Sequence, residues 1–262
     1  MNAKIRRTLC LLLASIIVLS MSACGSSTPS PSKYEGDGFN TPEEAVTRYL
    51  EGLKEMDYDK MLSAFAWESQ ISHFSVDAYL KRLKSVQMSY IPRMPSNNDF
   101  LFSANVNAIR AKQTKYIYDS IEAYLRGYSY NYAKTYSFDK EYEVDEYLAL
   151  FNKEKIEKLT GMSNIRFLTP DSITENKFSE RKELIEKIYE PYCADEVDCI
   201  VALADVGDEI LLFCPTVMRY GDKWYITSVD SAVDDILGLY NPYFGFFCYK
   251  GSLSELLEDR IW

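Results

Sequence analysis

A single histidine, His73, in 262 residues excludes every metal site built from several imidazoles. The chain also lacks a phosphate-binding P-loop, a dinucleotide-binding glycine fingerprint, an HExxH helix and paired CxxC elements, so no cofactor or metal is expected from its motifs. Positive charge is scarce: 29 Lys and Arg stand against 39 Asp and Glu, a net charge of −10. Three of those cations, Lys4, Arg6 and Arg7, lie in a segment read below as removable, and their loss takes the charge to −13. An excess of that sign argues against nucleic acid or an anionic lipid surface as partner. After the first two dozen residues no apolar run is long enough to span a bilayer. With 47% hydrophobic and 26% charged residues the remainder is a globular chain able to bury a core.

The beginning of the chain is informative. Residues 1–7 are basic and Thr8 to Ala23 are uncharged and rich in Leu, Ile and Val, the pattern of an export signal. Met21-Ser22-Ala23-Cys24 resembles a bacterial lipobox, in which the cysteine thiol takes a diacylglycerol after cleavage at residue 23. Cys24 is therefore the expected lipidation site, and the expected location is the outer side of the cell membrane, held by that lipid. Residues 24–40, with Gly25-Ser26-Ser27-Thr28-Pro29-Ser30-Pro31-Ser32, read as a flexible tether. Cleavage leaves 239 residues, and residues 41–262 are expected to form one domain.

Thr41-Pro42-Glu43-Glu44 is a capping box with proline in the first turn, opening a helix through Tyr49 and Leu53. A short helix from Asp59 and a third after Ser75 are expected next. A long helical pattern runs from 98 to about 126, with further helical segments to 160. Past Gly161 the period changes. Residues 164–168 read as a strand, Ser179 to Tyr189 as a helix, and Val197–Val206, Glu209–Tyr220 and Lys223–Asp230 as a meander turned by Gly207-Asp208 and Gly221-Asp222. Pairing Val206 with Glu209 and Tyr220 with Lys223 puts Val201, Leu203, Leu212, Cys214, Met218, Tyr225 and Val229 on one face. Ile200, Ala202, Ala204, Leu211, Phe213, Val217, Trp224 and Ile226 fall on the other. Both faces are apolar, so cover is expected on each, by helices on one and by a second copy of the chain or the 98–160 helices on the other.

This order of elements resembles the NTF2-like α+β cone, which also houses ketosteroid isomerase and polyketide-cyclase-type enzymes. The run Gly38-Phe39-Asn40-Thr41-Pro42-Glu43-Glu44-Ala45-Val46, with Tyr49-Leu50-Glu51-Gly52-Leu53, Asp57-Tyr58-Asp59-Lys60-Met61-Leu62 and Arg219-Tyr220-Gly221-Asp222-Lys223-Trp224-Tyr225-Ile226, is similar to NTF2-like lipoproteins of Firmicutes-type Gram-positive bacteria. The resemblance implies a cone of N-terminal helices on a C-terminal antiparallel sheet, with 98–160 as a helical insertion, and brings no established activity with it. In such a fold a cavity acid or tyrosine is the place to look for chemistry. Glu68 and Asp230 are the carboxylates that could face a cavity, with Tyr225 beside them, while His73 reads as a hinge or surface residue. Ser179 and Lys182 match SxxK, but Ser179 opens a helix and reads as its cap.

Nine tyrosines fall between Tyr116 and Tyr147, at 116, 118, 124, 128, 130, 132, 136, 142 and 147. Tyrosine offers a broad apolar face with a polar tip, so Tyr128, Tyr130 and Tyr132 are candidate binding residues, although packing helices together is the commoner use. Three functions follow as alternatives: a non-catalytic module binding a small ligand, glycan or peptide, an enzyme using a cavity carboxylate, or a structural envelope protein. Of the cysteines beyond the anchor, Cys193, Cys199, Cys214 and Cys248, the register sets Cys199 one diagonal step from Cys214. Their β-carbons would be about 7 Å apart, against the roughly 3.5–4.5 Å that a disulfide needs. Free thiols are expected at both.

Overall fold

The computed structural model describes residues 34–84, 93–126, 139–149, 151, 153–238, 245–251 and 255. Cys24, Tyr128, Tyr130 and Tyr132 lie outside them. The described part belongs to one compact unit that begins at Tyr34. It is α+β, with helices first and antiparallel strands after.

Helix α1 (Pro42–Glu55) starts as its sequence dictates: Thr41 Oγ1 accepts the Glu44 N–H at 3.2 Å. Glu44 reaches one residue further back than a capping box requires and accepts the Asn40 N–H at 2.9 Å. Helix α2 (Tyr58–Leu62) is capped by Asp57. A helix not expected from the sequence, α3 (Glu68–His73), follows, and α4 (Val76–Leu83) is capped by Ser75 as expected. The long α5 (Asp99–Leu125) is capped by Asn98, and α6 (Glu141–Leu148) and α7 (Lys153–Thr160) complete the helical half.

Strand β1 (Ser163–Leu168) opens the second half. The expected helix 179–189 is broken into α9 (Lys177–Glu180) and α10 (Lys182–Tyr189), after the short α8 (Pro170–Thr174). Ser179 is therefore inside a helical turn and does not cap one. Its N–H and hydroxyl both donate to the Asp171 carboxylate.

Both expected turns are present, with Val206 opposite Glu209 and Tyr220 opposite Lys223. Gly207 and Gly221 each have φ +65°, as the first position of a two-residue primed turn demands. The first two expected strands each bend in two. They become β2 (Glu196–Cys199) with β3 (Val201–Val206), and β4 (Glu209–Phe213) with β5 (Thr216–Tyr220), followed by β6 (Lys223–Ser228). The bend falls where Pro215 offers no N–H to the ladder. One bond still crosses it, from the Ile200 N–H to the Pro215 carbonyl at 3.1 Å, and the register is kept from Ala202–Phe213 to Cys199–Thr216. The meander is thereby shared by two sheets, β1-β3-β4-β7 and β2-β5-β6, with β7 at Phe247–Lys250.

The residues assigned to the two faces separate as expected, with one exception. Ile200, Ala202, Ala204, Leu211, Phe213, Val217, Trp224 and Ile226 join the main core with Tyr49, Leu50 and Leu53 of α1 and Val106, Ile117 and Tyr124 of α5. Val201, Leu203, Leu212 and Cys214 pack with Ile173 of α8 and with Val233 and Leu237, of which Val233 lies in α11 (Ala232–Ile236). Met218, Tyr220 and Tyr225 pack with Ala66 and with Tyr189 and Tyr192, the latter in a 3₁₀ turn (Glu190–Tyr192). Val229 is the exception and sits in the main core, because a register shift between Thr216 and Val217 moves the end of β6 by one residue. Helices α5 and α7 cover the same face as α1, and residues 170–192 and 232–237 cover the other. Both apolar faces are thus covered by elements of the chain itself among the described residues.

Tyr49 illustrates the density of the main core. Its ring stacks on Phe213 with centroids 4.5 Å apart and meets Phe65 edge-on at 6.0 Å. Its hydroxyl is buried and has no hydrogen-bond partner among the described residues. An unpaired buried hydroxyl costs about 1–3 kcal/mol, so Tyr49→Phe is expected to raise stability by about that amount in urea denaturation. A loss of stability would show that the hydroxyl does have a partner.

Residues 34–40, expected to be tether, are instead packed on the domain. Tyr34 lies under the Arg110 guanidinium, 3.8 Å from the ring centroid. Glu35 accepts the N–H groups of Glu68 and Ser69 at 2.7 and 2.8 Å, capping α3, whose own N-cap residue Trp67 offers no side-chain acceptor. Phe39 and Trp224 exchange backbone hydrogen bonds of 3.1 and 2.8 Å, and Lys223 Nζ donates to Asn40 Oδ1. A β-carbon on Gly38 would lie 2.5 Å from the Tyr225 ring, which is why glycine stands there.

Candidate functional site

Residues 34–40, a strap packed on the domain, account for two of the expected site residues. Tyr225 is buried beneath Gly38, and burial, with the Glu35 carboxylate beside it, pushes its phenol up to about 12. Glu68 is half-buried and its Oε1 accepts the Tyr34 N–H at 3.1 Å. Asp230, after β6, accepts from the Ser228 hydroxyl. Tyr225 and Glu68 thus both lie beside Glu35, whereas Asp230 is held by Ser228 just past the end of β6. His73 is exposed at the end of α3, its Nδ1 2.8 Å from the Ser69 carbonyl and its ring 4.8 Å from that of Tyr220. Among the described tyrosines of the 116–147 group, Tyr124 is fully buried whereas Tyr118 and Tyr142 are exposed, so these residues do not form one surface.

A different set of side chains meets in a cleft of about 80 Å³ between α3, α5, the Tyr189–Tyr192 corner and the strands β5 and β6. Two buried glutamines build its floor. Gln70 of α3 donates to the Thr227 carbonyl at 3.3 Å, and Gln113 of α5 donates to Ser228 Oγ at 3.1 Å while accepting the Val229 N–H at 3.2 Å. Buried amides of this kind are fixed by their bonds, so both helices are pinned to the end of β6.

Arg93 enters the cleft from the segment before α5. Asn105, also buried, holds that segment in place: Oδ1 accepts the Met94 N–H at 3.0 Å and Nδ2 donates to the Met94 carbonyl at 2.7 Å. The Arg93 guanidinium then lies over Phe74 at 4.5 Å and Tyr192 at 4.8 Å and gives Nη2 to Gln70 Oε1 at 3.0 Å. Its Nη1 is buried with no partner among the described residues. Lys112, one residue before Gln113, is the exposed cation at the rim, with its ammonium 5.3 Å from the Tyr116 ring centroid. Ile109, Tyr189, Tyr192 and Met218 supply the apolar wall. Burial raises the Tyr189 phenol, which remains a neutral hydroxyl bonded to Thr216 Oγ1 at 3.0 Å.

The lining holds no carboxylate, imidazole or thiol. Its Ser228 hydroxyl is engaged on both sides, by Gln113 and by Asp230. Such a set can bind an oxygen-bearing group and offers no pair for moving a proton. No cluster of His, Cys, Asp or Glu suited to a metal is present among the described residues, and Cys193, Cys199, Cys214 and Cys248 are unbridged. A second depression, wide and shallow, runs along α1 between Phe39 and Glu51 and is lined by three glutamates.

Sequence reasoning missed this site because its residues look structural one by one. The available signal was on α5: Asn105 and Gln113 fall on the buried side of a helix whose other buried positions include Val106 and Ile117. Two uncharged polar residues in an apolar stripe must be bonded to something across the interface.

No protein-family model and no curated protein matches the chain. A solved structure described as a cystatin-like protein from Ruminococcus gnavus is similar over 80% of this chain and 45% of its own length, with 16% identity and a TM-score of 0.46.

Proposed function

We propose that the chain is a lipid-anchored, extracytoplasmic binding module of NTF2-like architecture that holds part of a small ligand, glycan or peptide in the Arg93 cleft without transforming it. One observation carries the binding reading: cations, amides and aromatic rings converge in a preformed cleft that contains no acid–base pair. The lipobox-like Met21-Ser22-Ala23-Cys24 supports the anchor. The NTF2-like assignment is supported by the initial helices, by the strongly bent strands β2–β3 and β4–β5, and by a main core closed between α1 and the sheets.

The anchor is tested by labelling producing cells with a clickable fatty acid. The chain is expected in the membrane fraction with label, and Cys24→Ser is expected to carry none; label retained on the serine variant would overturn the assignment. Binding is tested by ligand-observed NMR on the full chain with a mixed set of sugars and short peptides. Saturable ligands displaced together by substitution of Arg93 are expected, and a complete absence of saturable binding would remove the reading.

A further inference from the structure

We propose that the cleft recognises a carboxylate end group, singly charged and attached to a larger body that stays outside. The inference rests on the binding reading above and adds the chemical class of the ligand. Size is the first argument. About 80 Å³ is well below the roughly 300–1,000 Å³ of sites that enclose a whole small molecule, so this one takes a terminal group.

Charge is the second argument. In a chain with net charge −10, neither Arg93 nor Lys112 forms an ion pair with a carboxylate among the described residues, although most of the other described lysines and arginines do. Asp230, the acid bonded to the lining Ser228, is spent on that hydroxyl. The Arg93 guanidinium is held between two rings, gives Nη2 to Gln70, and keeps a buried Nη1 donor unused. A buried charged donor without a partner is costly, and a planar guanidinium is matched by the two oxygens of a carboxylate. Lys112 at the rim adds a second positive charge on the path inward.

The surrounding field separates carboxylate from phosphate. The acidic surface penalises every negative charge brought up to it. A phosphate monoester brings nearly two, and a carboxylate brings one. The apolar wall of Ile109, Tyr189, Tyr192 and Met218 suits the carbon that carries the carboxylate.

The test titrates sodium acetate, acetamide, sodium chloride and inorganic phosphate into the isotopically labelled full chain, reading the side-chain amides of Gln70 and Gln113. Saturable shifts with acetate in the millimolar range are expected, with a response to acetamide weaker by about tenfold or more and none to chloride. Lys112→Gln, a change at an exposed side chain that leaves folding intact, is expected to weaken acetate several-fold, and Arg93→Gln to abolish it. Equal saturation by acetamide, or phosphate binding more tightly than acetate, would overturn the carboxylate assignment and leave the binding reading standing. No saturable response to any of the four would likewise overturn the carboxylate assignment, while the binding reading falls only if the sugars and peptides also fail to bind.

Discussion

Trp67→Ala is expected to cost about 3–5 kcal/mol, the range for emptying the site of a large buried aromatic. Trp67 is 1% exposed and stacks on Phe65 with centroids 4.8 Å apart and planes 12° from parallel. Its indole N–H donates to the Leu62 carbonyl at 3.0 Å, so truncation leaves that carbonyl short of a donor as well as opening a cavity. The Arg110 guanidinium lies 5.8 Å from the Trp67 ring and 3.8 Å from that of Tyr34, so the same change loosens the N-terminal strap. Against a total of about 5–15 kcal/mol for a domain, the loss brings the variant close to unfolding. Urea denaturation measures it; a drop below about 1 kcal/mol would mean that the core collapses to fill the space.

Acidification from pH 7 toward pH 5 is expected to stabilise the domain, and Asp234→Asn is expected to flatten most of that response. Burial lifts the Asp234 carboxyl well above the usual carboxylate range, with Asp230 and Asp235 adding to it and the Ser231 bonds pulling the other way. Between the ordinary carboxylate range and that raised position the folded state holds the proton more firmly than the unfolded chain. Stability from this group is therefore full at low pH and is lost as pH rises through the window. Burial shifts Glu35, Asp198 and Asp235 in the same direction. Asp205 and Asp208 oppose them: Arg166 and Lys158 hold their carboxyls low, Asp208 at about 2, so their contribution disappears only below the usual range. Asparagine at 234 retains an oxygen to accept the Ser231 N–H, which Asp234 Oδ2 accepts at 2.8 Å in the folded domain. Denaturation of parent and variant at pH 5 and pH 7 decides it, and an unchanged pH response in the variant would place the sensitive group elsewhere.

The fold was legible where local chemistry acts alone. Thr41, Ser75 and Asn98 mark helix starts by their own side chains, and the two Gly-Asp turns set a register that assigns the faces of three strands. It was not legible where a partner distant in the chain decides. Helix α3 is short and follows Trp67, a poor cap, because its capping acid is Glu35, 33 residues before the Glu68 whose N–H it accepts. Pro215 announces the strand bend in the sequence, but a single proline does not say that the bent halves enter different sheets. The second apolar face called for cover, and what supplies it is a set of helices of five to eight residues too short for periodicity to assign with certainty of partner. The cleft was hidden for the same reason: Gln70, Arg93 and Gln113 become a group only after α3, α5 and β6 have docked.

Under the proposed anchor at Cys24, the strap over residues 34–40 gains a mechanical meaning. A pull from the membrane side would then enter the fold at Tyr34. Within six residues it is divided among the Arg110 stack on α5, the Glu35 cap on α3 and the paired backbone bonds of Phe39 to β6. Those three attachments reach two helices and a sheet before the first turn of α1 is loaded. Drag on an anchored domain would thus be resisted by side chains that also brace the elements around Gln70 and Gln113, so the strap and the cleft share one scaffold.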